Sequence, residues 1–391
     1  MSQSTLQESI VDCSIDQLYT SFSGFVAFRL PKSSEAQVFV SDKHFTALKN
    51  PAIHQLPLGF LVKDFDPDSG ISWFLQPQQS FVFDAAWQVK TVSHKHQNID
   101  QGILVENQPQ PQSLMRNNKS LLLEGISEED YRQQVELAVE AIEVGNFDKV
   151  VLARKTSQTL ENSVSPELLF KRACEKYPDA FVYILKWEDG SFWLGASPEL
   201  LVSSDSSTFC TQALAGTRRR LDVNQSIQQT LWSQKEIEEQ AIVSRYIIDC
   251  FKKIRVREYT DIGPHTVLAG DLLHLKTDFI VKKSEANYEH IETEMLRLLH
   301  PTSAVCGMPK PEALRFIKQV EKFDRELYSG YLGPLHVDGK SHVFVNLRCA
   351  KVEGTILHLF AGAGITSSSV SAAEWTETQV KLQTMLQVFG V

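Results

Sequence analysis

In the stretch AAEWTETQVKLQTMLQVF, Glu374, Glu377 and Lys381 stand at i, i+3 and i+7, which puts two carboxylates and an ammonium on one helix face. Trp375, Leu382, Met385, Leu386 and Phe389 form the adjoining apolar stripe, so these charges sit beside a core. QKEIEEQ repeats the device, with Glu236 and Glu239 at i, i+3 and Ile237, Ile242, Tyr246, Ile247 and Phe251 on the packing side. Two helices that each present a Glu pair can converge on one divalent ion. An oxygen-only donor set without His suits Mg2+, a hard cation that keeps several waters and takes few protein carboxylates. The same spacing also fits solvated carboxylates with a Glu377 to Lys381 surface pair.

Other residues offer anion chemistry. In LFAGAGITSSS, Gly362 and Gly364 let a ligand approach the backbone closely and leave N–H groups free for a carboxylate. This is not a GxGxxG, and it follows a hairpin strand, so a dinucleotide reading is weak. Alternation along HVFVNLRCA, read as one strand from His342 to Ala350, puts Arg348 on a face with Phe344 and Asn346, where its planar fork suits a ligand carboxylate or an acidic partner. Lys149 opens the strand KVVLA, and Glu199 follows the proline of GASPEL. By themselves both also read as surface residues, and AGTRRR as a basic turn.

The elements that must position these groups follow from pattern. Short apolar runs between residues 20 and 90 (Phe25 to Leu30, Gln37 to Val40, Gly59 to Val62, Ile71 to Leu75) predict a β-rich segment. ENQPQPQS (Glu106 to Ser113) has nothing to bury and reads as an exposed loop or linker. Ser127 with Glu128, Glu129 and Asp130 caps a helix that Gly145 closes. Further helices are predicted after Ser165-Pro166 and over Gln234 to Ile254, Tyr288 to Leu299 and Ala372 to Phe389. Between them lie strands at Phe181 to Trp187, Phe192 to Ala196 and Phe209 to Leu214. Asp338-Gly339 and Glu353-Gly354 make the strands near the C-terminus antiparallel neighbours. With no regular βαβ alternation, the class is α+β.

Composition narrows the functions. Apolar residues at 42% and charged residues at 22% are ordinary for a globular chain, which argues against disordered and membrane classes. A net charge of −9, with no basic run beyond Arg218 to Arg220, argues against nucleic acid and requires a locally positive pocket for any anionic ligand. Six dispersed cysteines without a CxxC pair read as reduced core thiols. The first residues lack a basic and an apolar leader region, so the expectation is a soluble cytoplasmic protein.

Nine segments taken in order resemble the motif set of chorismate-utilising enzymes: DKVVLAR (Asp148 to Arg154), GASPELL (Gly195 to Leu201), LAGTRR (Leu214 to Arg219), KEIEEQ (Lys235 to Gln240), LHPTSAVCGMP (Leu299 to Pro309), FDRELYSGYLG (Phe323 to Gly333), LRCAKV (Leu347 to Val352), LFAGAGI (Leu359 to Ile365) and EWTETQVKL (Glu374 to Leu382). The resemblance covers residues 120 to 390; residues 1 to 115 resemble the family only in length and β-rich texture. It implies one α+β unit over residues 1 to 391, with two large antiparallel sheets packed together and helices outside, and hence no domain boundary at the linker.

The resemblance also implies roles. Glu239 and Glu377 match direct magnesium ligands, and Glu236 and Glu374 the carboxylates that hold metal-bound waters. Arg348, Lys381 and the Gly362 backbone match positions that bind substrate carboxylates, while Ala215, Gly216 and Thr217 line the substrate ring. Lys149 matches the base that activates water and Glu199 the acid that protonates the departing hydroxyl. Where the family often has His after the metal-binding Glu, this chain has Gln240, an exchange expected to change contacts on the leaving-group side. Aminodeoxychorismate synthases have Lys at the position of Ala215, and anthranilate synthases typically have Gln at that of Lys149. Water is therefore the implied nucleophile, and the implied activity is that of an isochorismate synthase: Mg2+-dependent isomerisation of chorismate by a monomer, serving menaquinone or siderophore biosynthesis. Salicylate synthases also use water and then eliminate pyruvate. Without the family, a metal-dependent hydrolase of an anionic ester is the best enzyme reading; a non-catalytic chorismate-binding protein is the reading from another class.

Overall fold

The computed structural model describes residues 13–94, 125–161, 164–219, 227–269, 272–286 and 288–390; the linker read at Glu106 to Ser113 lies outside them. Two wholly antiparallel sheets organise the chain. The first has ten strands in the order Gly307–Met308, Lys149–Thr159, Ile356–Ile365, Cys349–Glu353, Phe192–Ser197, Phe181–Lys186, Gly24–Arg29, Ala36–Ser41, Gln79–Phe83 and Val89–His94. The second has nine: Thr260–Ala269, Leu272–Lys282, Thr208–Arg219, Leu200–Ser204, Ser341–Val345, Tyr331–Leu335, Gly59–Lys63, Ile71–Leu75 and Thr46–Lys49.

Period-two alternation builds the layers. Val26, Phe28, Phe181, Tyr183 and Leu185 point inward, meeting Phe60, Val62, Leu332 and Phe344 of the second sheet in a shared core. Their neighbours Phe25, Ala27, Val182 and Ile184 point outward beneath the helices Ile15–Ser21, Pro166–Lys176 and Ser371–Phe389. The second sheet's outer face is covered by Gln234–Lys253 and Ile291–Leu299. The class is therefore α+β, with two packed antiparallel sheets and helices outside. Strands on both sides of the Pro/Gln segment pair directly: Gly24–Arg29 with Phe181–Lys186, and Gly59–Lys63 with Tyr331–Leu335.

Two sequence readings need correction. His342 to Ala350 is not one strand: Ser341–Val345 belongs to the second sheet and Cys349–Glu353 to the first. Asn346, Leu347 and Arg348 carry the chain between them, and Arg348 takes a left-handed conformation at φ 49°, so strand alternation does not orient it. A buried Asn fixes this crossing. Asn346 donates to Leu327 O at 2.8 Å and accepts from the Tyr183 hydroxyl at 2.7 Å. KVVLA also extends much further, to Thr159, because its partner Ile356–Ile365 runs alongside for its full length.

The other edge of Lys149–Thr159 is closed by side chains. After Val151 N donates to Cys306 O, the buried pair Glu321–Arg325 takes over: Arg325 Nη2 donates to Val151 O at 2.8 Å, and Ala153 N donates to Glu321 Oε1 at 2.7 Å. Glu321→Ala leaves a buried guanidinium without its 2.5 Å partner. It is expected to cost about 3–5 kcal/mol, the usual scale for breaking a buried pair from one side. Urea denaturation checks this; a loss below about 1 kcal/mol, the scale of an exposed ion pair, would mean the pair is not closing the edge.

Candidate active site

The crossing at Asn346 to Arg348 lies beside a second one. Phe192–Ser197 in the first sheet passes to Leu200–Ser204 in the second through Pro198 and Glu199. The two crossings are tied antiparallel, with Ala196 N donating to Arg348 O at 3.0 Å and Val345 N to Glu199 O at 3.0 Å. Glu199 and Arg348 thus become neighbours because the chain changes sheets twice at one place.

A cavity opens there, with about 540 Å3 of space that includes open solvent. It is lined by Lys149, Glu199, Ala215, Gly216, Thr217, Glu239, Arg348, Gly362, Glu377 and Lys381, ten of the twelve positions to which the resemblance gives a substrate, metal or acid–base role, and by Gly364. The other two lie just outside. Glu236 closes the capping box of its helix, accepting from Ser233 N at 2.6 Å, and also accepts from Arg218 Nε at 3.2 Å. Glu374 is buried and ion-paired to Lys235.

Each lining group has a definite setting. Lys149 starts its strand, only 2% exposed, and a Cβ added to Gly364 would lie 3.0 Å from its Cε and 3.5 Å from Glu239 Oε1, so the missing side chain there makes room for both. Burial, with Lys381 and Lys235 nearby, pulls the Lys149 ammonium below its ordinary value, against the opposing pull of Glu239. Burial pushes Glu199 the other way, up to about 8, despite Lys149, Arg348 and Lys381 around it. Burial also lowers Arg348. Lys381 Nζ donates to Gly362 O at 2.8 Å and pairs with Glu377 at 2.6 Å. Against burial, Lys381 holds Glu377 below the ordinary carboxylate range; burial raises Glu374, opposed by Lys235.

Sequence reasoning missed two neighbours. His274, in Leu272–Lys282, lines the cavity and is held near Gly216 O by Nδ1 at 2.7 Å; burial pulls its pKa down to about 3, so the ring is neutral and Nδ1–H donates. Its Nε2 has no hydrogen-bond partner. Alternation in LLHLKTDFIVK puts His274 on the same face as Leu272 and Lys276, a signal available in the sequence. Tyr328 joins Arg348, Gly362 and Lys381 around an adjoining cavity, and no periodicity marks it. Gln240 does not line the site: its amide donates into the core, to Thr277 Oγ1 at 3.0 Å and Ala213 O at 3.3 Å, bracing the strand that carries Ala215 to Thr217.

The donors suit a hard cation. Glu239, Glu374 and Glu377 offer only carboxylate oxygens, and Glu374 Oε2 is buried without a partner. As arranged, lysines neutralise them: Lys235 lies against Glu374 and 3.8 Å from Glu239. Among the described residues no three such side chains are already close enough to hold an ion.

A buried cavity with cations for an anionic ligand and a lysine and a glutamic acid pushed toward their neutral forms defines a class of acid–base site on a two-sheet α+β scaffold. A family model described as "Chorismate binding enzyme" matches residues 78–390, and this chain belongs to that family. It is 34% identical over 266 residues, 67% of each chain, to isochorismate synthase EntC of Escherichia coli (strain K12). To isochorismate synthase DhbC of Bacillus subtilis (strain 168) it is 30% identical over 274 residues, covering 67% of this chain and 68% of that protein. Among solved structures, MenF, the menaquinone-specific isochorismate synthase from Escherichia coli, matches the fold with TM-score 0.76 at 23% identity, covering 96% of this chain and 92% of that one. No helix among the described residues is long and apolar enough to cross a membrane.

Proposed function

We propose that this protein is an isochorismate synthase that converts chorismate to isochorismate with Mg2+. The observation that carries the reading is the opposed bias of Lys149 and Glu199 across one cavity that also holds Arg348 and Lys381. Chorismate is a dianion with an allylic hydroxyl, so it needs cations for two carboxylates, a base for water and an acid for the departing hydroxyl. Arg348 and Lys381 supply the first, deprotonated Lys149 the second and protonated Glu199 the third. Water loses a proton to the Lys149 amine as its oxygen bonds to one end of the allylic system. The hydroxyl at the other end leaves with the Glu199 proton. One water enters and one departs, so the product is an isomer. Glu239 and Glu377, with Glu374 and Glu236 through waters, would hold the metal, which supplies orientation of a ring carboxylate and charge withdrawal when bound.

Ala215 and Lys149, which both line the cavity, favour water over ammonia. The test is NMR of a chorismate reaction run with ammonium present, followed by a lactate dehydrogenase assay for pyruvate. The expected product has the mass of chorismate, carries no nitrogen and is formed with little pyruvate. Anthranilate or aminodeoxychorismate would overturn water as the nucleophile, and stoichiometric pyruvate with salicylate would make the protein a salicylate synthase.

A further inference from the structure

Arg154 is 3% exposed and pairs with no carboxylate among the described residues. It lies five residues along the strand from Lys149 and faces the helix Ser371–Phe389. Its guanidinium stacks 3.9 Å over the Trp375 ring, and its Nε donates to Thr378 Oγ1 at 2.7 Å. Tyr131 packs on Trp375 as well, with ring centroids 5.8 Å apart. The Thr378 hydroxyl in turn donates to Trp375 O at 2.7 Å, which leaves its oxygen free to accept from Arg154.

We propose that Arg154 is a positioning residue that fixes the rotation of the Ser371–Phe389 helix and thereby aims Glu377 into the cavity and holds Glu374 just outside it. The two side chains it grips, Trp375 and Thr378, each directly follow one of those carboxylates, so the grip and the aim are set by the same turn of helix. A side chain about 5–6 Å from the axis moves roughly 2 Å when a helix turns by about 20°, and about 1 Å of misplacement can cost roughly 10²-fold in rate. Stability does not explain the residue. Burial without a counter-ion pulls the guanidinium down to about 10, and a methionine of similar length would fill the space without that desolvation. What methionine lacks is direction: a planar stack and a fixed N–H to Thr378.

The metal and turnover parts of this inference rest on the proposed function, so the test includes a readout that does not. Hydrogen–deuterium exchange followed by mass spectrometry compares the wild type with Arg154→Met. Peptides covering residues 371–389 are expected to exchange about tenfold faster in the variant, with those covering 234–253 unchanged, because the effect is local opening of one element. Thermal midpoints should agree within about 3 °C, the range of a sub-kcal/mol change. Isothermal titration with MgCl2 should show about tenfold weaker binding, and kcat should fall at least about tenfold with KM for chorismate within about threefold, the pattern of lost transition-state alignment. Arg154→Lys, which keeps the charge but not the fork, should not restore kcat. Unchanged exchange over 371–389, or full rescue by lysine, would overturn the clamp. If the wild type neither binds Mg2+ nor turns over chorismate, the proposed function fails, while the exchange comparison still decides Arg154.

Discussion

Lys149→Ala and Glu199→Gln are each expected to lower kcat by at least about 10²-fold, the usual scale for losing positioned acid–base catalysis, with KM for chorismate changed much less. The asymmetry follows from which charges bind the ligand. Arg348 and Lys381, which line the cavity, remain in both variants, so on the proposed reading the dianion would keep its counter-charges. What is lost is a proton acceptor on one side of the ring or a proton donor on the other. Normal turnover by either variant would show that its side chain has been given the wrong role.

The pH dependence fixes the sign. In the proposed mechanism Glu199 acts while protonated, and with its pKa pushed up to about 8, activity in the wild type should fall as pH rises through that region. In the proposed mechanism Lys149 acts while neutral; its lowered value should move the rising limb of the profile down from the ordinary lysine range. The same raised Glu199 value makes folding stability, as far as this group contributes, complete below the unfolded carboxyl pKa of 4.5 and lost as pH climbs toward 8. In Glu199→Gln the descending limb of kcat/KM should disappear with most of the rate. A limb that stayed near 8 in that variant would belong to another group.

Much of the scaffold is legible in the sequence because it depends on local signals. Ser127, Ser165 and Ser233 each cap a helix where a Ser precedes a helical pattern, and the short continuous apolar run Phe181 to Leu185 reads as a strand, here buried on both faces. The site is legible in a different way. Spacing brings Glu374 together with Glu377, and Glu236 with Glu239, but it cannot say that Lys149, Glu199 and Arg348 meet. Their meeting depends on two sheet crossings, and the second breaks a run whose sequence reads as one uninterrupted strand. Nothing local in HVFVNLRCA reports that Asn346 is anchored from Leu327 and Tyr183, the contacts that hold the break. Only the ordered motifs carried that information. Glu236 shows the opposite limit: its place three residues after Ser233 is the signature of a capping box, and its two oxygens accept from Ser233 N and Arg218 Nε, which leaves only their second lone pairs for a metal-bound water.

Glu377→Gln and Glu239→Gln should abolish measurable turnover while the protein stays folded, and excess EDTA should do the same to the wild type. Glu239 and Glu377 line the cavity, and Glu377 is held ionised by Lys381 at 2.6 Å, so a carboxylate ligand is ready across the neutral range. Glutamine keeps the volume and one oxygen but removes the charge that a hard cation requires. If bound Mg2+ supplies about 4 kcal/mol of stabilisation as the hydroxyl departs, its loss corresponds to roughly 10³-fold in rate. Folding should survive because Lys381 keeps its bond to Gly362 O. On the proposed reading, Glu374 would set the pH dependence of metal affinity. Its pKa is raised by burial, so protons compete for it as pH falls, and Mg2+ binding measured by calorimetry should weaken on the acid side. Undiminished turnover in excess EDTA would remove the metal from the reaction and leave Lys235 and Lys381 as the permanent partners of these carboxylates.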